Sequence, residues 1–340
     1  MNGKKVIATV IGSMPHKDAK RACELVFENF PVAPAWPQLP KRSFYEGMCQ
    51  QISEGLPKVV LNEENNKMYF SLDGGIEKEL EKFYERYLSD NPENFAISQM
   101  YSEGFYAFLD IAKKVKPEYL KGQLVGPISF GLTITDENRR AVLYNEQLAD
   151  VVIKNCAMKM RWQIKEFLKI SPKVIIFIDE PYLSSYGSAF MAVSRENIIN
   201  YLNEVIDAIK LEGALSGIHC CGNTDWSLLT DTKVDIINFD AYEYSEKLAL
   251  YSDSIESFIK RGGKIAWGIV PSSEKINDES IETLTQKLEN GFKFLIDKGV
   301  DKKVLTDNFF VTPSCGVGSL TEEIAEKIMT ATHNVVAKMG

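Results

Sequence analysis

A histidine and two cysteines follow a short apolar run in Gly217-Ile218-His219-Cys220-Cys221-Gly222. Side chains alternate along an extended backbone, so His219 and Cys221 face one side and Cys220 the other. A His-x-Cys pair alone is a weak metal signal, and a plain buried histidine is its alternative. Two further groups strengthen it. Glu243 closes the next apolar run, in Asn238-Phe239-Asp240-Ala241-Tyr242-Glu243, and Cys315 closes the last, in Pro313-Ser314-Cys315-Gly316. One imidazole, two thiolates and one carboxylate form a borderline-soft set that suits tetrahedral Zn2+, with Cys220 in place of Cys221 as a variant of the same set.

Two thiolates and a carboxylate give such a centre net negative charge, which makes it a poor activator of water. The same electron richness keeps a bound substrate sulfur nucleophilic while the metal lowers the thiol pKa, ordinarily about 8.5. The expected chemistry is alkyl transfer onto a thiol. Glu243, the hardest of the four donors, is expected to loosen as the substrate sulfur arrives, which makes it the catalytic carboxylate.

These groups end different strands, so the elements must converge at one end. Apolar, β-branched runs occur at residues 5–11, 30–36, 123–125, 174–178, 215–218, 234–239, 264–269 and 309–311, the second being weak. Helical periodicity fills most intervals, most clearly at 145–169 and 195–211, then 283–298 and 322–338. Residues 58–75 break the alternation and read as an inserted hairpin or loop. Eight strands alternating with helices predict an α/β fold, a single-domain TIM (β/α)8 barrel over residues 1–340. A doubly wound open sheet would cluster its polar signals at one switch point. Here they end at least five strands, at Gly12-Ser13, Asp179-Glu180, His219 to Cys221, Asp240 to Glu243, and Cys315.

Composition excludes several classes. Lys and Arg number 39 against 47 Asp and Glu, a net charge of −8 that argues against nucleic-acid binding. No run of about 18 apolar residues exists, so no membrane span is expected. The apolar stretch near the N-terminus reads as a first strand, not a signal peptide. Six cysteines are too sparse for a disulfide scaffold, and a cytoplasmic location is expected. Cys23, Cys49 and Cys156 read as buried small hydrophobes. His16 reads as a surface residue at a helix start and His333 as structural; Trp36, Trp267 and Tyr242 line the pocket mouth or pack in the core.

Ile11-Gly12-Ser13-Met14-Pro15, Ile178-Asp179-Glu180-Pro181, His219-Cys220-Cys221, Glu243 and Pro313-Ser314-Cys315-Gly316 together resemble the catalytic half of cobalamin-independent methionine synthase. That family shares a superfamily with uroporphyrinogen decarboxylase and the methylcobalamin:coenzyme M methyltransferases. The resemblance spans nearly the whole chain in order. It implies a TIM barrel, zinc held by His219, Cys221, Glu243 and Cys315, and L-homocysteine as the methyl acceptor. It also implies that the backbone of Ile11, Gly12 and Ser13, with the Ser13 hydroxyl, takes the substrate carboxylate, and that Asp179 takes the ammonium group.

Departures from that family point to a short, core-type member. Thr133 stands where the family has a folate-stacking tryptophan, no histidine follows Trp267-Gly268-Ile269-Val270-Pro271 to protonate a leaving amine, and Gln38 is only near the position of a substrate-contacting glutamate. Methylcobalamin needs no such acid, so the expected donor is methylcobalamin, carried on a corrinoid protein. A coenzyme M-type thiol methyltransferase is the nearest rival. A uroporphyrinogen decarboxylase-like protein and a non-catalytic zinc protein are rivals of other classes.

Overall fold

β-Branched and apolar runs that end in polar residues become parallel strands in the computed structural model, which describes residues 5–189 and 191–339. The strands are β1 (Lys5–Ala8), β2 (Val59–Asn62), β3 (Lys67–Phe70), β4 (Leu120–Val125), β5 (Val174–Asp179), β6 (Leu215–Cys220), β7 (Ile236–Phe239), β8 (Lys264–Val270) and β9 (Asn308–Pro313). Seven of them form one parallel sheet in the order β1-β9-β8-β7-β6-β5-β4, while β2 and β3 pair as an antiparallel hairpin within residues 58–75.

The gap between β1 and β4 is bridged by residues 32–38, within and just beyond the weak second run. Tyr119 N donates to Val32 O, Lys121 N to Pro34 O and Trp36 N to Lys121 O; on the other side Gln38 N donates to Gly12 O and Met14 N to Gln38 O. Pro34 and Pro37 lack the N–H that a regular ladder requires, so this segment closes the barrel with isolated bridges instead of a named strand. The architecture is a (β/α)8 barrel in which one of the eight staves is irregular.

Helices sheathe the barrel close to where periodicity puts them: Glu146–Leu168, Arg195–Leu211, Ile281–Ile296 and Glu322–Met339. Asn145, Ser194 and Ser280 cap the first three with side-chain oxygens on free N–H groups. Inside the barrel, Ile7, Ile175, Phe177, Ile236, Ala266 and Phe310 form an apolar plug. Nearer the carboxyl ends of the strands the interior turns polar: Thr9, Lys121, Gln123, Asn238 and Thr312 are all fully buried. That polar layer underlies the mouth, the end at which barrels of this kind carry their chemistry. Among the described residues no helix is long and apolar enough to cross a membrane.

Candidate active site

His219 and Cys221 leave the end of β6 on the same face, and Cys315 follows β9. Their donor atoms lie within 4.8 Å of one another. Cys220 points the other way, fully buried, with its thiol toward Gly222 O. The β6–β7 register sets His219 beside Asn238. Asn238 Nδ2 donates to Ala266 O and Thr312 Oγ1, both at 2.9 Å, so its Oδ1 faces His219 Nδ1 at 2.5 Å and accepts from it. The imidazole proton is thereby fixed on Nδ1. Among the described residues His219 Nε2 has no hydrogen-bond partner and is left buried, lone pair toward the thiols.

The thiols report the same need. The nearby Cys315 and His219 hold the Cys221 thiol well below its usual range, and the neighbouring Cys221, together with burial, pushes Cys315 far up. One thiolate forms readily; a second beside it requires a cation. Cys315 is held by Ser272, whose hydroxyl accepts from Cys315 N at 2.9 Å and donates to Cys315 O at 2.7 Å. The donor chemistry fits a thiophilic divalent ion.

Glu243 stands outside this group. It occupies the first turn of the helix Ala241–Leu248, where its N–H is capped by Asp240 Oδ1 at 3.0 Å. Its carboxylate accepts from Lys275 Nζ at 2.6 Å, and both side chains are largely solvent-exposed.

A cavity of about 270 Å3 opens beside the three donors, lined among others by Ile11, Ser13, Gln38, Glu46, Asp179 and Gly318. Asp179 ends β5 in register with His219, nearly buried, and burial pushes its carboxyl up against the opposing pull of His219 and Lys121. Its Oδ1 has no hydrogen-bond partner among the described residues. Glu180, the next residue, turns away and caps the helix Pro127–Thr133 through Ile128 N and Ser129 N. Gly12 has φ +139°, a conformation that favours glycine, and a Cβ there would lie 2.5 Å from the Gln123 side chain. Gly318 lets Ser13 approach so closely that a Cβ would lie 2.1 Å from its hydroxyl.

Sequence reasoning missed Glu46. It sits in the short turn Phe44–Glu46, 1% exposed, with Oε1 on Arg42 at 2.6 Å and Oε2 unpartnered. Burial raises its pKa against the Arg42 contact. Gln38, the residue weighed for this role, also lines the cavity but donates its amide to Gln51 at 2.8 Å. Only an acid in an otherwise aromatic stretch, Ser43-Phe44-Tyr45-Glu46, marked Glu46 in advance.

A second, wider cavity of about 980 Å3 lies between the β2–β3 hairpin and the loop from Thr133 to Arg139; Met48 borders both cavities. Trp36 and Trp267 are fully buried in the core, Trp36 donating to Gln163 Oε1 and Trp267 packed edgewise on Phe239 and Phe292. His16 is buried, 3.4 Å from Glu326, and not at the surface as expected. His333 binds Asn29 O through its ring at 2.8 Å.

Comparison with known proteins adds four findings. The family described as the cobalamin-independent synthase catalytic domain matches residues 105–338. The methionine synthase of Methanocaldococcus jannaschii is 27% identical over 219 residues, which cover 63% of this chain and 64% of that one, so the match spans less than two thirds of the relative. Among solved structures, a B12-independent methionine synthase from Shewanella sp. W3-18-1 in complex with selenomethionine aligns at a TM-score of 0.45 and 19% identity over 68% of this chain and 67% of the other. A GH20 catalytic module of the pneumococcal exo-beta-D-N-acetylglucosaminidase aligns at 0.50 and 13% identity over 98% and 85%, a likeness of fold alone.

The family match corrects one expectation. Methylcobalamin as donor, and with it a corrinoid carrier, conflicts with a family that works without cobalamin. The absent stacking tryptophan and acid histidine bear on how a donor is held and protonated; they do not identify the carrier.

Proposed function

The chain belongs to the family of the cobalamin-independent methionine synthase catalytic domain, and from that premise we propose that it transfers a methyl group to the thiol of L-homocysteine to form methionine. The observation that carries this reading is the convergence of His219, Cys221 and Cys315 beside a cavity that also holds two carboxyl groups with unpartnered oxygens, Asp179 and Glu46.

His219, Cys221 and Cys315 would hold Zn2+, with Glu243 as the fourth donor. When bound, the zinc supplies a positive centre that keeps the substrate thiol ionised at neutral pH without a general base. The chain's own groups do the rest. Asn238 fixes the tautomer of His219, and Ser272 fixes the backbone of Cys315. Asp179 and Glu46 accept hydrogen bonds from the substrate ammonium, and the backbone of Ile11, Gly12 and Ser13 receives its carboxylate. Glu243 would join the ion only by leaving Lys275, and an exposed ion pair of that kind is weak, so the exchange would cost little. The donor enters through the wider cavity at Thr133 and Met48, and with corrinoids set aside it is a methyl group on a tertiary amine of the methyltetrahydrofolate kind.

Coenzyme M-type acceptors fit less well. A sulfonate with no ammonium would face Asp179 and Glu46 without compensation.

X-ray absorption on zinc-loaded protein tests the reading. Two sulfur neighbours are expected at rest and three after addition of homocysteine, with loss of the Glu243 oxygen; Glu243→Gln should show the same sulfur count with homocysteine present. An unchanged metal environment would mean that the centre is structural. Methionine formation from homocysteine and methyltetrahydrofolate, with no turnover of coenzyme M, is the accompanying activity.

A further inference from the structure

Lys121 is a fully buried lysine with no part in the scheme above; burial lowers its pKa to about 7 against the opposing pull of Asp179. It projects from β4 into the polar layer of the barrel, its Nζ 4.3 Å from the centre of the Phe177 ring. There it donates to Ile11 O at 3.0 Å and to Gln123 Oε1 at 3.1 Å. An ammonium group this deep costs heavily unless its surroundings use the charge. What it touches is the underside of the turn at the cavity mouth.

A trans peptide carries its C=O and N–H on opposite sides, and no cis bond occurs among the described residues. Lys121 draws the Ile11 carbonyl down into the barrel, so the N–H of Gly12 points the other way, toward the mouth. Neither Gly12 N nor Ser13 N donates to any protein group among the described residues. Gln123 braces the same turn from below: its side chain fills the space under Gly12, and its Nε2 is tied to Trp36 O at 2.9 Å. Asp179 stands in the same cavity with the opposite charge.

We propose that Lys121 is a positioning residue for the carboxylate of an α-amino-acid substrate: it holds the Ile11 carbonyl so that the free N–H of Gly12 faces the cavity beside the free N–H of Ser13, and when protonated it supplies positive potential from beneath them. With Asp179 lining the same cavity, this gives the site groups of both polarities, as a zwitterion requires. The proposal rests on the reading that the acceptor is an amino-acid thiol, and it deepens that reading by naming what selects the carboxylate end.

The test compares three thiols on the metal-loaded full chain: homocysteine, 4-mercaptobutyrate, which lacks the ammonium, and 3-aminopropane-1-thiol, which lacks the carboxylate. Binding is read from the absorption of the Co2+-substituted protein. Lys121→Met should weaken homocysteine and 4-mercaptobutyrate by about tenfold to a hundredfold, the scale of one charge-assisted hydrogen bond, and leave 3-aminopropane-1-thiol and metal affinity nearly unchanged. KM for homocysteine should rise more than kcat falls. Equal losses for all three thiols would overturn the assignment while the methyl-acceptor reading stands. Absence of any thiol binding by the wild-type protein would remove that reading and this one together. If Lys121→Met fails to fold, the amide resonances of Gly12 and Ser13 in the wild-type protein decide: they should shift with 4-mercaptobutyrate and not with 3-aminopropane-1-thiol, and the reverse result refutes the proposal.

Discussion

Asp179 and Glu46 face one small cavity, each with an oxygen that no group among the described residues satisfies. A ligand ammonium would supply the missing donors. Asp179→Asn and Glu46→Gln should therefore each weaken homocysteine by about tenfold to a hundredfold, with zinc content unchanged and 4-mercaptobutyrate little affected. Titration of both thiols against each variant checks this; parallel losses would contradict the ammonium role. The two acids differ in how far they could be read in advance. Asp179 ends an apolar run, where alternation fixes which way a side chain points, and the same rule separates Cys221 from Cys220. Glu46 lies in a short turn after an irregular stave, where no periodicity governs direction. Glu243 shows the limit from the other side: its type and spacing suit a ligand, yet in the helix Ala241–Leu248 its carboxylate has Lys275 as a competing partner.

Helix Glu146–Leu168 carries an interior cation of a different kind from Lys121. Lys159 is fully buried, with a long 3.4 Å hydrogen bond to Phe95 O and Glu54 as its main favourable charge. Burial lowers its pKa from the ordinary 10.5 to about 8. Between those values the unfolded chain still holds a proton that the folded one has released, so stability rises with pH across that window, and the cost is fully present below it. Lys159→Met, close in volume, should stabilise the protein at pH 7 by about 1–3 kcal/mol. It should also remove the gain between pH 8 and 10.5. Urea unfolding at several pH values measures both, and a variant less stable at pH 7 would show that Lys159 is needed as a charge. The helix itself was plain from its period, and so were the strands with regular ladders. The stave at residues 32–38 read weakly because prolines interrupt it, and they interrupt its hydrogen bonds for the same reason.

For the whole molecule, the barrel was legible because polar signals end many strands instead of meeting at one switch point. Its uneven closure was not. The run β4 to β9 is a continuous parallel ladder, whereas residues 32–38 are tied by isolated bridges. Amide exchange should reflect this: Trp36, Gln38 and Met14 are expected to exchange well before the amides of β5 to β8, and uniform protection around the barrel would contradict it. The asymmetry also divides the mouth. His219, Cys221 and Cys315 rise from the firm ladder, while Gln38, Glu46 and Met48 hang from the loosely tied side. Such a vise has one fixed jaw and one yielding jaw, so a guest can be admitted and gripped from the Glu46 side while the jaw that carries His219, Cys221 and Cys315 keeps its spacing.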